Sequence, residues 1–301
     1  MRVISVLPSA TEIVFALGHG AELVGRSAEC DYPREAARLP VVMRPRTWDA
    51  DRPSREIDAR VQSVRSRGES LYELDVGLLA ELHPDLLLTQ DLCGVCSVTE
   101  EEVVAGCRAA GVAPRILSLA PRRLEEVWGT FGQVAEALRD RTAGERLRAA
   151  LPDPSVPEGS ARGPRVAVIE WLDPPILAGL WTPDIVARAG GIPVGPRAGE
   201  GGRRTTWRAL GELGIDLVLL SPCSFSVART RAELADPGIA AGVRSLRPPL
   251  GTFLADEAYF SRPGPRLAEG VRLVRALRTG GTERLALPFE AWTPDAPEVS
   301  A

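Results

Sequence analysis

The sequence predicts an α/β protein of two lobes, each a parallel sheet flanked by helices, bridged by one long helix. Three observations carry this. A Pro84-Asp85 turn feeds the apolar run Leu86-Leu87-Leu88, which has the composition of a buried parallel strand and opens into a polar loop carrying Cys93 and Cys96. The design recurs in Gly214-Ile215-Asp216-Leu217-Val218-Leu219-Leu220-Ser221-Pro222-Cys223, again an Asp-led strand ending in a polar loop with a cysteine. Between the two, Leu124, Val127, Phe131, Val134 and Leu138 keep helical spacing within a single helix predicted from Pro121 to Leu151.

In order, Arg2 to Leu7 reads as the first strand. Ser9-Ala10-Thr11-Glu12 follows with capping-box spacing and leads a helix that Gly18 ends. Ala21 to Arg26 is a second strand, followed by a polar loop with Cys30, an arginine- and proline-rich stretch from Met43 to Trp48, and an amphipathic segment through Arg67. Ser70 to Leu82 is predicted as the helix before the central strand, Thr99 to Ala110 as the next helix and Arg115 to Leu119 as a strand. Pro152 to Ser160 is rich in proline and small polar residues and marks the linker. The programme then restarts with a strand at Arg165 to Ile169. Thr182-Pro183-Asp184 opens a helix with a cap, a first-turn proline and an acidic first turn. Trp207 to Leu213 is a helix, Gly251 to Ala255 a strand, and a last helix runs to Leu277. The implied division is an N-terminal lobe over 1–120, a linking helix over 121–151, a C-terminal lobe over 152–281 and a loosely attached tail over 282–301.

Composition removes whole classes of function. A chain of 301 residues with 45% hydrophobic content is enough for two modest cores, and a net charge of −4 leaves no electrostatic footprint for nucleic acid. All basic residues are arginine, so a P-loop lysine, a lysine Schiff base and a lysine general base are excluded. Only His19 and His83 exist, and both precede or follow elements at the ends away from the loops after the strands, which leaves no Ser-His-Asp triad. No run is long and apolar enough to insert in a membrane, and Met1 to Ser9 turns polar too soon for a signal peptide, which predicts a cytoplasmic protein, or a periplasmic or extracellular one only if a signal has been removed.

Arg2-Val3-Ile4-Ser5-Val6-Leu7-Pro8-Ser9-Ala10-Thr11-Glu12-Ile13-Val14-Phe15-Ala16-Leu17-Gly18 resembles the opening of the cobalamin and ferric-siderophore substrate-binding proteins of ABC transporters. Glu81-Leu82-His83-Pro84-Asp85-Leu86-Leu87 is similar to that family's helix-to-strand signature, and Tyr259-Phe260-Ser261-Arg262-Pro263-Gly264-Pro265-Arg266 to its C-terminal motif. The resemblance spans Arg2 to about Leu277. It implies two Rossmann-like lobes, a corrinoid-like ligand held by loops from both, and a transporter permease as partner. It also implies that Pro8, Ser9 and Ala10 line one wall of the ligand site, with Trp171, Leu172, Tyr259 and Phe260 on the other.

The residues themselves add two sets of candidates. Trp48, Trp171, Trp181 and Phe225 fall in polar or proline-rich loops, where flat aromatic walls suit a macrocycle and packing between lobes is the alternative. Arg44, Arg46 and Arg262 suit ligand carboxylates or phosphates. Cys30, Cys93, Cys96 and Cys223 all follow predicted strands and, if they converge, make a four-thiolate set for zinc or an iron–sulfur cluster; the alternatives are a dithiol redox pair and incidental small residues of the cleft. Cys107 sits mid-helix and reads as core. The expectation is a non-enzymatic binding protein for cobalamin or a related corrinoid. The alternative is a cytoplasmic metalloprotein or enzyme built on the four cysteines.

Overall fold

The computed structural model describes residues 1–46, 52–91, 98–151 and 163–293. The chain divides into two compact units: Met1–Asp49, Ala59–Leu151 and Pro263–Pro265 form the first, and Ala50–Asp58, Pro152–Arg262 and Arg266–Ala301 the second. Each unit is an α/β sheet flanked by helices, as the sequence predicts.

The first unit contains β1 (Val3–Ser5), α1 (Pro8–Ala16), β2 (Leu23–Ser27), β3 (Val41–Pro45), most of α2 (Ser54–Ser66), β4 (Tyr72–Leu74) and α3 (Val76–Leu82). It continues with β5 (Leu86–Gln90), α4 (Glu100–Ala109), β6 (Arg115–Leu119), α5 (Leu124–Ala137) and α6 (Arg141–Ala149). The strand order is β4-β3-β2-β1-β5-β6, parallel throughout except for the antiparallel β3–β4 edge. Leu86, Leu87 and Leu88 are at most 1% exposed, as a strand covered on both faces requires.

Two local predictions change here. The stretch read as one helix over 121–151 is a helical hairpin: Arg139 takes φ 64° and Asp140 caps α6 by accepting from the Ala143 amide at 2.9 Å. The apolar spacing of α5 is as predicted, with Leu124, Val127, Phe131 and Val134 fully buried. The turn carries no glycine to announce it, so periodicity alone runs the two helices together. Ser70 to Leu82 is likewise a short edge strand, β4, and then α3, whose N-cap Asp75 accepts from Leu78.

The second unit contains β7 (Arg165–Leu172), β8 (Pro175–Leu177), α7 (Thr182–Arg188), β9 (Ile192–Pro193), β10 (Arg203–Arg204), α8 (Trp207–Gly211) and β11 (Leu217–Leu220). It continues with α9 (Val227–Glu233), α10 (Pro237–Leu246), β12 (Thr252–Ala255), α11 (Leu267–Thr279) and β13 (Phe289–Trp292). The order is β10-β8-β7-β11-β12-β13, with β9 also pairing β7; β7, β11 and β12 are parallel and form the centre. Ala167, Ile169, Val218, Leu220 and Leu254 pack with Ile239, Val243 and Leu246 of α10 into one core. The tail is not loose over its described part: β13 pairs antiparallel with β12 along four residue pairs from Thr252–Trp292 to Ala255–Phe289. A strand with Phe289 and Trp292 buries apolar edge surface that its proline-rich flanks conceal from a compositional reading.

The amino-terminal edges of the two sheets are built alike. Asp85, just before β5, accepts from the Arg2 amide at 2.7 Å, and Arg2 Nε donates to the Leu82 carbonyl at 2.6 Å. Asp216, just before β11, accepts from the Arg165 amide at 2.7 Å, and Arg165 Nε donates to the Leu213 carbonyl at 3.1 Å. In each case an Arg-Asp pair joins adjacent parallel strands at their starting ends and sets their register.

Candidate functional site

In open α/β sheets the loops beyond the carboxyl ends of the strands carry the chemistry, so the site is built from those loops, one unit at a time. In the first unit the chain leaves β1 and enters α1 at Pro8, with extended Leu7 as N-cap and no side-chain cap. The capping box expected at Ser9 does not form, because Pro8 itself begins the helix and puts Ser9 inside the first turn. Ser9 is 1% exposed and its hydroxyl has no hydrogen-bond partner among the described residues; Ala10 is fully buried and Pro8 half-buried. Pro263–Pro265 of the C-terminal motif belongs to this unit, and a Cβ on Gly264 would lie 3.5 Å from both Ser9 and Glu12.

Below that helix start lies a buried hydroxyl–thiol group. Thr11 Oγ1 is 2.9 Å from Ser5 Oγ and 3.1 Å from Cys30 Sγ, while Ser5 Oγ donates to the Leu7 carbonyl at 2.9 Å. All three residues are fully buried. Cys30 is therefore a hydrogen-bonded interior residue of this edge. Arg26 organises the loop after β2 by donating to the carbonyls of Ser27, Ala28 and Ala37 at 2.8, 3.1 and 2.9 Å.

The second unit presents aromatic rings and ion pairs at the same edge. Trp171 is the penultimate residue of β7, and its ring lies 5.4 Å from that of Phe225, tilted by 50°. The Arg229 guanidinium lies 4.3 Å over the Phe225 ring and pairs with Glu233 at 2.7 Å. Glu233 also accepts from the amide and hydroxyl of Ser54, at 2.6 and 2.5 Å. Trp181 donates its indole N–H to the Phe260 carbonyl at 2.6 Å, whereas the Trp171 indole nitrogen is buried without a partner among the described residues. Arg262 pairs with the buried Glu257, and Arg266 lies 5.9 Å from the Tyr259 ring centroid. Cys223 Sγ is 3.5 Å from Ser261 Oγ.

Measured against the sequence candidates, the edge of the second unit brings together Trp171, Phe225, Tyr259, Phe260, Trp181 and Arg262. Leu172, Phe225 and Phe260 are at most 1% exposed, so they act as backing to this edge. Arg44 donates to the Val41 carbonyl and Arg46 to the Tyr72 carbonyl, both in backbone roles. Trp48, Cys93 and Cys96 lie outside the described residues. Cys30 belongs to the first unit and Cys223 to the second, and no group of three or more His, Cys, Asp or Glu side chains suited to a metal occurs among the described residues. The zinc or iron–sulfur alternative thus has no assembled ligand set there. Sequence reading missed Arg229 and Glu233 because α9 was not assigned; their i,i+4 spacing was the available signal.

No protein-family model matches the sequence, and no curated protein matches it. Solved structures do. A periplasmic heme-binding protein from Pseudomonas aeruginosa is similar with a TM-score of 0.66 at 20% identity, over 97% of this chain and 98% of that one. The periplasmic heme-binding protein BhuT, solved with two hemes, gives 0.62 at 25% identity over 93% and 98%. The periplasmic vitamin B12-binding protein BtuF of Vibrio cholerae gives 0.62 at 18% identity over 94% and 98%. The fold is thus that of the binding proteins the sequence resembles. These neighbours are periplasmic proteins, which overturns the cytoplasmic placement expected from the first residues; the polarity of a short N-terminal stretch carries no weight against a fold shared over nearly the whole chain.

Proposed function

We propose that a protein with this fold, shared with periplasmic heme- and vitamin B12-binding proteins, is itself a periplasmic substrate-binding protein, that its ligand is cobalamin or a related corrinoid, and that it delivers this ligand to an ABC transporter permease. The observation favouring a corrinoid over a heme is the placement of the histidines. His19 follows α1 and His83 ends α3 just before β5, so both lie at the amino-terminal edge of the first sheet, away from the carboxyl edge. The sequence has no third histidine. A histidine-ligated heme therefore finds no ligand at the carboxyl edge, whereas a corrinoid, whose cobalt can carry its own axial ligands, asks the protein only for rings, amides and a few charges; a heme held through Tyr259 is the competing outcome of the titration.

The surfaces assigned to the ligand are the carboxyl-edge loops of each unit. Pro8, Ser9 and Ala10 are assigned in the first. Trp171, Tyr259 and Arg262 are assigned in the second, backed by Leu172, Trp181, Phe225 and Phe260. Apolar ring faces and a buried indole N–H suit a macrocycle with apolar faces and carbonyl-rich side arms.

Titration with cyanocobalamin and, separately, with hemin tests the reading by tryptophan quenching and calorimetry. Saturable cobalamin binding at micromolar affinity or tighter is expected. Hemin binding without cobalamin binding would replace the corrinoid by a heme, and binding of neither would remove the substrate-binding reading.

A further inference from the structure

Trp171 is held from behind by a relay of side chains that runs to the start of α2. Its ring packs on Phe225, and Arg229 lies over the Phe225 ring. Arg229 is pinned in turn: Nη1 pairs with Glu233 at 2.7 Å and Nη2 donates to the Arg52 carbonyl at 2.6 Å. Glu233, 6% exposed, uses its other oxygen to cap the start of α2 through the Ser54 amide and hydroxyl. Residues 52–58 count with the second unit, so the whole relay is internal to it. Salt links hold the same turn of α2: Asp58 binds Arg204 through both oxygens at 2.7 and 3.0 Å, and Arg55 reaches Asp173 at 3.2 Å and Asp236 at 3.7 Å.

This arrangement is more specific than packing requires. A buried aromatic pair needs no cation, and a cation–π contact is oriented by the ring normal, so it fixes the tilt of Phe225 as well as its position. Phe225 then presents one defined face to Trp171, whose own N–H is buried without a partner among the described residues and gains an acceptor only if its direction is right. We infer that Arg229 is a positioning residue for ligand binding: it contacts no ligand and, held by Glu233, sets the orientation of Trp171 through Phe225. The inference rests on the proposed binding function for its consequence, and on the geometry of the second unit for its mechanism.

The two are tested separately on the full-length protein labelled with fluorotryptophan. The Trp171 fluorine resonance is assigned by its loss in Trp171→Phe. Arg229→Met, which keeps the aliphatic stem and removes the charge, should shift or broaden that resonance while the signals of Trp128 and Trp292 stay in place. Arg229→Lys should move it less. With cyanocobalamin and hemin as probes, Arg229→Met should weaken whichever ligand the wild type binds by about tenfold, and Arg229→Lys by less. Glu233→Gln gives a second variant with the same expected pattern if Arg229→Met fails to fold. An unmoved Trp171 resonance in both variants overturns the positioning role, whether or not a ligand is found. A shifted resonance with unchanged affinity overturns its link to binding. A wild type that binds neither probe sinks the proposed function instead, and leaves the resonance to judge the relay.

Discussion

The two sheets agree at one edge and differ at the other. At the amino-terminal edge each joins its central strands by the same device, Arg2 with Asp85 and Arg165 with Asp216, down to the second bond from the arginine Nε to a helix-end carbonyl. At the carboxyl edge the first unit buries small hydroxyls and a thiol, whereas the second stacks Trp171, Phe225 and Arg229 and adds the Trp181–Phe260 bond. Small, mutually bonded groups make a stiff floor at the carboxyl edge of the first unit, and large packed rings make an apolar wall at that of the second.

Substitutions that break each edge should have unequal effects. The largest is expected at Gly270 of α11, where any Cβ would collide with the carbonyl of Tyr259. Because the obstacle is backbone, Gly270→Ala should displace the Tyr259–Phe260 segment and cost about 3 kcal/mol in urea unfolding. A wild-type midpoint would show that this wall is not rigid. Trp181→Phe keeps an aromatic ring but removes the pyrrole half of the buried indole, and leaves the Phe260 carbonyl without its 2.6 Å donor. A loss of about 2 kcal/mol is expected, together with weaker ligand binding. A variant that loses stability but keeps full affinity would make Trp181 part of the core alone.

The first unit should be more forgiving. Thr11→Val removes the hydroxyl shared by Ser5 and Cys30 at nearly constant volume, and about 1 kcal/mol should be lost. A loss equal to that of Trp181→Phe would erase the contrast between floor and wall.

The smallest effect lies at the back of the first unit. His19 Nδ1 bonds Glu22 at 2.8 Å and Nε2 bonds Asp140 at 3.1 Å; Glu22 also faces the Met1 amine at 3.5 Å, and Arg146 acts on Asp140. The Glu22 bond, opposed by burial and helped by Asp140, raises the imidazole above its ordinary 6.5. A raised folded-state value means the contact contributes fully below pH 6.5 and is lost as pH rises through the folded value. Asp140 is lowered from 3.8, first by the Ala143 amide and then by His19, so its share is present above pH 3.8 and lost as pH falls through the lowered value. Stability should therefore decline modestly from pH 6 to 8 in the wild type and less in His19→Gln, as read by thermal unfolding. Superimposable pH profiles would remove His19 from the account.

Much of this was legible in the chain. The Asp-led apolar runs placed β5 and β11 and revealed the internal repeat, and the helix predicted from Thr99 forms as α4, held at its start by a Thr99–Glu102 capping box that the sequence reading did not single out. Apolar period and turn chemistry are local, so a single sequence carries them. The motif residues Tyr259 to Arg266 also pointed to the edge where aromatic and charged groups gather. What local pattern did not carry was which distant groups meet. Arg139 bends the predicted long helix although nothing in its side chain demands it, and β13 exists only because β12 offers it an edge. Glu233 meets Ser54 across 179 residues of sequence. Two cysteines that looked like partners, Cys30 and Cys223, went to different units, each with its own neighbours. The sequence by itself determined the central parallel strands, most helices and the Asp-led starts of β5 and β11, because those follow from periods of two and 3.6 residues and from caps a few residues away. Only the tertiary structure decided the composition of the carboxyl edges, because a hydrogen bond or ring contact there depends on groups brought together by the folded sheet rather than by spacing along the chain.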